Sequence, residues 1–278
     1  MKNNKLGILY ALLGVLILSF DSVLVHLIDS AIWDLVFWRG LLLSLTILII
    51  ASASLATTRR KAPTAYRTID LLGGCAFALS TSFFVLSIDS TDAASTLAIF
   101  NTAPFFAAVI AFFTLKERIE KHTVAAMMTS ILGVGVIFLH GATSGQLAGD
   151  YYAIIAAVGS ASYLVCLRKR QGNNSHNILI TGGIVMASIA LLNGAKPTSL
   201  NSVQFIYMAL LGCIVVPLSG LFIAQSSKYL PAAQTALILL LELLLGPLWI
   251  YLVLSIVPEK ENLLGGTIVL ISLVIHSL

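Results

Sequence analysis

Apolar residues run along this chain in long uninterrupted stretches, separated by short polar breaks. Ten stretches can be drawn, over residues 6–28, 34–54, 69–88, 91–115, 122–140, 150–167, 178–193, 203–227, 231–256 and 263–278. Most approach the length of about 20 residues that carries an α-helix across the hydrocarbon core of a bilayer. A membrane β-barrel would instead read as alternating segments of about ten residues, and no such alternation is present. The breaks are turn material: Asp29-Ser30, Ser90-Thr91-Asp92, Gly141 to Gly149, Gly172-Asn173-Asn174, Asn193-Gly194 and Pro258 to Asn262. The pattern predicts an all-α membrane protein of ten short-looped helices, with no linker long enough to hold a soluble domain. The tenth stretch is short and ends with the chain, which leaves room for a longer natural protein.

Composition narrows the class. Of 278 residues, 58% are hydrophobic and only 10% are charged, whereas soluble domains carry roughly 25% charged residues. A soluble globule and a disordered chain are both excluded. The net charge of +4 does not point to nucleic acid, because the basic residues stand in short runs between apolar stretches. With the N-terminus inside, one face collects Lys2, Lys5, Arg59, Arg60, Lys61, Arg67, Lys116, Arg118, Lys121, Arg168, Lys169, Arg170 and Lys228, while the other holds only Lys196 and Lys260. Thirteen against two is the asymmetry of a cytoplasmic face, so both termini are expected in the cytoplasm. Asp29, Asp34, Asp89, Asp92, Asp150, Glu259 and Glu261 gather on the opposite side. No cleavage signature closes the first apolar stretch, so a removed signal peptide is not expected. Cys75, Cys166 and Cys213 lie inside apolar segments, at spacings that suit neither a metal site nor a disulfide framework.

Five helices per half would invert the second half relative to the first, a recurring plan among secondary transporters. Segments four and nine support such a repeat. Asp92-Ala93-Ala94-Ser95-Thr96 aligns with Pro231-Ala232-Ala233-Gln234-Thr235, and that offset gives five identities in 24 positions. Each segment also holds a helix breaker near mid-membrane, Pro104 in one and Gly246-Pro247 in the other, about one turn apart in register.

The sequence resembles the drug/metabolite transporter superfamily, in its EamA-like branch. The resemblance lies in Phe37-Trp38-Arg39-Gly40, in Ala103-Pro104 followed by Leu115-Lys116-Glu117-Arg118, and in Leu241-Glu242, Gly246-Pro247-Leu248-Trp249 and Leu264-Gly265-Gly266. It covers nearly the whole chain and implies two five-helix repeats, residues 1–145 and 146–278. One position departs from the pattern: the glutamate expected after the ninth helix is Ile256, while its first-half counterpart Glu117 is kept. The resemblance further implies a central cavity opened alternately to each side, with amino acids or related compounds as cargo.

No enzymatic motif is present: there is no H-E-x-x-H, G-x-S-x-G or P-loop, and Gly133-Val134-Gly135 lacks the third glycine of a dinucleotide fingerprint. His122, His140, His176 and His276 sit at membrane edges and His26 near the outer surface, as solvated side chains rather than metal ligands. Asn173-Asn174-Ser175 matches a glycosylation acceptor but follows Arg168-Lys169-Arg170 on the cytoplasmic face. What can carry chemistry is the set of ionisable groups inside the hydrocarbon, which need partners or water because a central charge costs about 2.5–3.5 kcal/mol to insert.

Asp21 lies about 10 Å below the outer end of helix one, and Arg39 about 8 Å below that of helix two, at 1.5 Å per residue. Matching depths on consecutive helices predict an ion pair, as a clamp or a gate. Glu242 lies about 16 Å into helix nine on the same rise, without an obvious lysine or arginine at its level. It stands four residues before Gly246-Pro247, and Asn101, Thr102 and Pro104 occupy the corresponding depth of helix four. Ser80, Tyr163 and Gln225 complete the candidate cavity lining, though serine in such helices often bonds a neighbouring helix instead.

The expectation is a secondary transporter or exporter of small metabolites in a bacterial inner membrane. Its partners are a small-molecule substrate and the lipid bilayer; no cofactor, metal, nucleic acid or ATP is called for. A membrane-embedded enzyme or lipid-handling protein, and a pore-forming channel, are the alternatives.

Overall fold

The computed structural model describes residues 2–57, 66–91, 96, 99–117, 147–171 and 175–255. The fifth and tenth predicted segments, and Ile256, lie outside the described residues. Every described element is helical. Among the described residues, six stretches are long and apolar enough to cross a membrane: Asn4–Ile28, Ile32–Ala53, Thr68–Ile88, Leu147–Lys169, Ser175–Leu192 and Ser202–Ser226; Ala103–Leu115 is a shorter apolar helix.

The first stretch is not one helix. It forms α1 (Lys2–Leu18) and α2 (Asp21–Ile28), separated by a turn at Ser19 and Phe20. No glycine or proline makes this break. The Ser19 hydroxyl donates to the Leu16 carbonyl at 2.7 Å, offering the backbone a local alternative to the helical ladder. Asp21 then opens α2, where a carboxylate suits the positive end of the helix dipole.

Next come α3 (Ile32–Thr57) and α4 (Thr68–Ser90). α5 (Ala103–Leu115) follows a turn at Asn101 and Thr102 and carries Pro104 in its first turn, where a missing N–H costs nothing. α6 (Leu147–Lys169) and α7 (Ser175–Leu192) are continuous. α8 (Ser202–Leu210) runs into a π-helical turn, π1 (Leu211–Val215), and then α9 (Val216–Ser226). Pro217 accounts for the widened turn, because a proline ring collides with the carbonyl four residues back. With that bond lost, the Val216 N–H reaches five residues back, to Leu211.

The ninth stretch is also divided, into α10 (Ala232–Leu239) and α11 (Glu242–Leu254), but the division does not fall at Gly246-Pro247. It falls at Leu240 and Leu241, six residues before that pair and beyond the four-residue reach of a proline ring. This corrects the register of the two breaks. The offset that aligns Asp92 with Pro231 also aligns Ala103 with Glu242, so α5 and α11 begin at equivalent positions. Both are 13 residues long, and both end on a left-handed residue, Lys116 and Ser255, each with φ 56°.

The helices pack mainly across the two halves of the chain. α4 lies against α6 and α7, α3 against α7, α1 against α9, α5 against α6 and α10, and α11 against α2. Small residues permit the closest crossings. A Cβ at Gly40 of α3 would lie 2.5 Å from the Gly183 carbonyl of α7, and one at Gly159 of α6 would lie 2.9 Å from the Ser80 nitrogen of α4. The outer surface is apolar as well: Phe113 is 76% exposed and Leu192 87%, which suits lipid and not water. Arg67, Arg168, Arg170 and Lys228 stand together with Asp70 and Glu117 at one end of the bundle, called the basic end below.

Candidate functional site

Three chain breaks bring polar groups into the interior. At the first, Asp21 begins α2 and faces Arg39 of α3. The Arg39 Nη1 lies 3.0 Å from Asp21 Oδ1 and donates to Oδ2 at 3.0 Å, and the two side chains are only 13% and 15% exposed. α11 packs against this break. The Trp249 indole donates to the Ser19 hydroxyl at 2.9 Å, and its ring stacks on Phe20 with centroids 4.6 Å apart. A Cβ at Gly246 would lie 2.9 Å from the Ser22 hydroxyl, so the glycine lets α11 close onto α2.

Glu242 opens α11 on the same side. It is half-buried and stands within electrostatic reach of both Asp21 and Arg39. The expectation that it has no arginine at its level is therefore corrected. Depth counted along one helix cannot register a cation that reaches in from another. Two carboxylates and one guanidinium thus share a region enclosed by apolar helices, at the first turns of two half-helices whose N-terminal dipoles favour negative charge.

The other candidates are distributed differently. Asn101 and Thr102 form the turn before α5; Asn101 is half-buried, and the buried Thr102 hydroxyl donates to the Ile99 carbonyl at 2.6 Å. Pro104 is buried in the first turn of α5. The Ser80 hydroxyl donates to the Ala156 carbonyl at 2.9 Å, joining α4 to α6. Tyr163 is buried in α6 with its ring 4.9 Å from that of Phe77, and its hydroxyl has no hydrogen-bond partner among the described residues. Gln225 is half-buried near the end of α9. Among the described residues, no group of three or more His, Cys, Asp or Glu is placed to hold a metal ion.

Several ties escape a reading of the sequence. Asp70 of α4 is fully buried and meets Arg170 at 2.8 Å (Nε to Oδ1) and 3.1 Å (Nη2 to Oδ2). It also accepts from Asn177 Nδ2 at 3.2 Å and from the Arg67 amide at 3.0 Å. Arg168 holds Glu117 at 2.7 Å. Counting basic residues for topology absorbs Arg168 and Arg170 without asking what they touch; Asp70, opening an apolar stretch on the same side, is the signal that could have found their pairing. The Phe37-Trp38-Arg39-Gly40 motif proves to be three separate contacts. Trp38 donates to the Pro197 carbonyl at 3.0 Å, Arg39 pairs with Asp21, and Gly40 admits α7. Asp34, just upstream, accepts from the Lys196 amide and the Ser199 hydroxyl and so fastens the loop that follows α7.

Comparison with known proteins agrees with this architecture. A solved crystal structure superposes with a TM-score of 0.74 at 14% sequence identity, covering 96% of this chain and 95% of that one, which establishes the shared fold. An uncharacterized transporter of Clostridium kluyveri is 32% identical over 130 residues, 45% of this chain and 40% of that protein. The matched stretch thus spans about two fifths of that relative's length. The sequence model of the EamA-like transporter family matches residues 5–139 and 147–278. With its apolar helices and a family match along nearly its whole length, the chain belongs to the EamA-like transporter family.

Proposed function

We propose that this protein is a ten-helix secondary transporter of small metabolites, amino acids or related compounds, working by alternating access in a bacterial inner membrane. Its two halves, residues 1–145 and 146–278, would be inverted five-helix repeats, completed by the fifth and tenth segments. The packing supports this reading. The α4–α6 contact has its repeat counterpart in α9–α1, the α5–α6 contact has its counterpart between helices nine and one, and the α3–α7 contact maps onto itself. Both termini would be cytoplasmic, placing the basic end of the bundle inside the cell.

The observation that carries the proposal is the pair of in-register breaks, before Ala103 and before Glu242, beside the Asp21–Arg39 pair. Broken helices at mid-membrane free backbone groups to coordinate a solute, and are tolerated where they line a cavity. Arg39 is matched by Asp21, which leaves the Glu242 carboxylate as the unmatched charge of the three. In this reading Glu242 binds a proton or a substrate ammonium from the cavity and releases it when the cavity opens to the other side. Asp21 and Arg39 hold the break in helix one at the outer edge of that site.

Glu242→Gln tests the assignment, since it preserves shape and most hydrogen bonding but removes charge and titration. In proteoliposomes tested with a panel of radiolabelled metabolites, the variant should lose at least tenfold in rate, or lose the pH dependence of the parent, on the scale expected when a general acid or base is removed. Parent-like rate, affinity and pH dependence would make Glu242 a packing residue.

A further inference from the structure

Arg168, one residue before the end of α6, makes three bonds to two separate parts of the chain. Its Nε meets Glu117 Oε1 at 2.7 Å, and its Nη1 donates to the Ser227 and Lys228 carbonyls at 3.0 and 3.1 Å. Glu117 lies immediately beyond α5, and Ser227 and Lys228 form the turn between α9 and α10. One guanidinium therefore ties the basic ends of the two helices that carry the in-register breaks. The carbonyls it takes up are those a helix C-terminus leaves without intrahelical donors. α6 itself is fixed to α4 by the buried Arg170–Asp70 pair, so it serves as the anchor. Next to Lys228, the Tyr229 ring stacks on Tyr10 of α1 at 6.2 Å, drawing the basic end of helix one to the same point.

Two buried hydroxyls stand on helices that this knot joins. Tyr163 precedes Arg168 by five residues, and Thr235 stands in the first turn of α10. They are 6% and 0% exposed, and neither hydroxyl oxygen has a hydrogen-bond partner among the described residues. Both residues sit on helices that Arg168 holds together, and burying an unpaired hydroxyl is costly. These are polar groups sealed from water in this conformation. The Arg168 and Glu117 side chains, by contrast, are 26% and 23% exposed, at the rim where a latch can be released.

Resting on the alternating-access reading, we infer that Arg168 is the latch of the cytoplasmic gate, and that its release opens a vestibule where the Tyr163 and Thr235 hydroxyls receive a hydrogen-bonding group of the solute. The structure is then the cytoplasm-closed state. Closure is carried by bonds from one side chain to α5 and to the α9–α10 turn. Separating those helices from α6 costs all three bonds together, which makes opening a single cooperative step.

The test is the accessibility of position 235. In a background carrying Cys75→Ser, Cys166→Ala and Cys213→Ser, Thr235→Cys is reacted with a charged, membrane-impermeant thiol reagent in inside-out vesicles. Reaction should be slow with Arg168 present, about tenfold faster with Arg168→Gln, since three charge-assisted bonds are lost, and faster also with Glu117→Gln. Arg168→Lys keeps a cation for Glu117 but cannot fork onto two carbonyls, so it should give an intermediate rate. If Arg168→Gln is not recovered as a folded protein, the lysine variant decides. Equal rates in the parent and the folded Arg168 variant would overturn the latch. That outcome leaves the cavity reading standing when Glu242→Gln still alters transport, whereas unchanged transport by Glu242→Gln tells against the cavity without touching the labelling result.

Discussion

Arg39 faces two carboxylates, and the two are not equivalent. Asp21 is bonded to it at 3.0 Å, while Glu242 feels it at longer range. Removing one member of a buried pair strands the other, typically at about 3–5 kcal/mol, whereas replacing both is tolerated better. The pair is partly exposed, so the lower end of that range applies, about 3 kcal/mol. Arg39→Gln should be the worse single variant, because it leaves Asp21 and Glu242 facing each other without a cation. Asp21→Asn should cost less, since Glu242 remains to balance Arg39. The double variant should recover part of the loss when thermal unfolding is followed in detergent. Additive losses would show that the residues do not couple. The proximity of Asp21 and Arg39 is legible from depth along two consecutive helices. The approach of Glu242 is not, because it depends on how α11 seats against the break between α1 and α2.

At the level of helices, the crossings made by glycine set how much adjustment the bundle allows. An added methyl at Gly40 meets the backbone of Gly183, which cannot move without shifting α7. At Gly220 of α9 the same methyl meets only the Leu179 side chain, at 3.2 Å, and a leucine can turn aside. Gly40→Ala should therefore destabilise by about 1–3 kcal/mol, the range for overpacking a tight site, while Gly220→Ala should change little. Comparable thermal midpoints for the two variants would mean that the α3–α7 crossing is looser than its geometry requires. Element existence was readable because continuous apolar runs need no partner to be recognised. The breaks were harder. Pro104 marks the start of α5 directly, whereas the break before α11 lies six residues upstream of Gly246-Pro247 and has no glycine or proline of its own. The break at Ser19 and Phe20 carries only the weak signature of a serine followed by an aspartate within an apolar run.

Across the whole molecule, equivalence between the halves coexists with differences that the repeat does not share. α5 and α11 match in start, length and termination, yet α6 is unbroken where its proposed counterpart divides into α1 and α2, and π1 has no counterpart in α4. An inverted-repeat transporter in one of its end states must be asymmetric in this way, since each half adopts the shape that the other takes in the opposite state. Which side of the membrane each end faces depends on charge. In the proposed topology the loops holding thirteen lysines and arginines, against two in the others, face the cytoplasm, because basic loops resist translocation. With five helices per half, as proposed, the loop between the halves would then lie outside. Ser144, in that loop and outside the described residues, is the position to probe. Introduced into a chain lacking Cys75, Cys166 and Cys213, Ser144→Cys should react with an impermeant thiol reagent added to intact cells. Lys228→Cys, at the basic end, should react only after the membrane is opened. The reverse pattern would place the Arg168 contacts on the outer face, and the latch would then close the opposite side of the cavity.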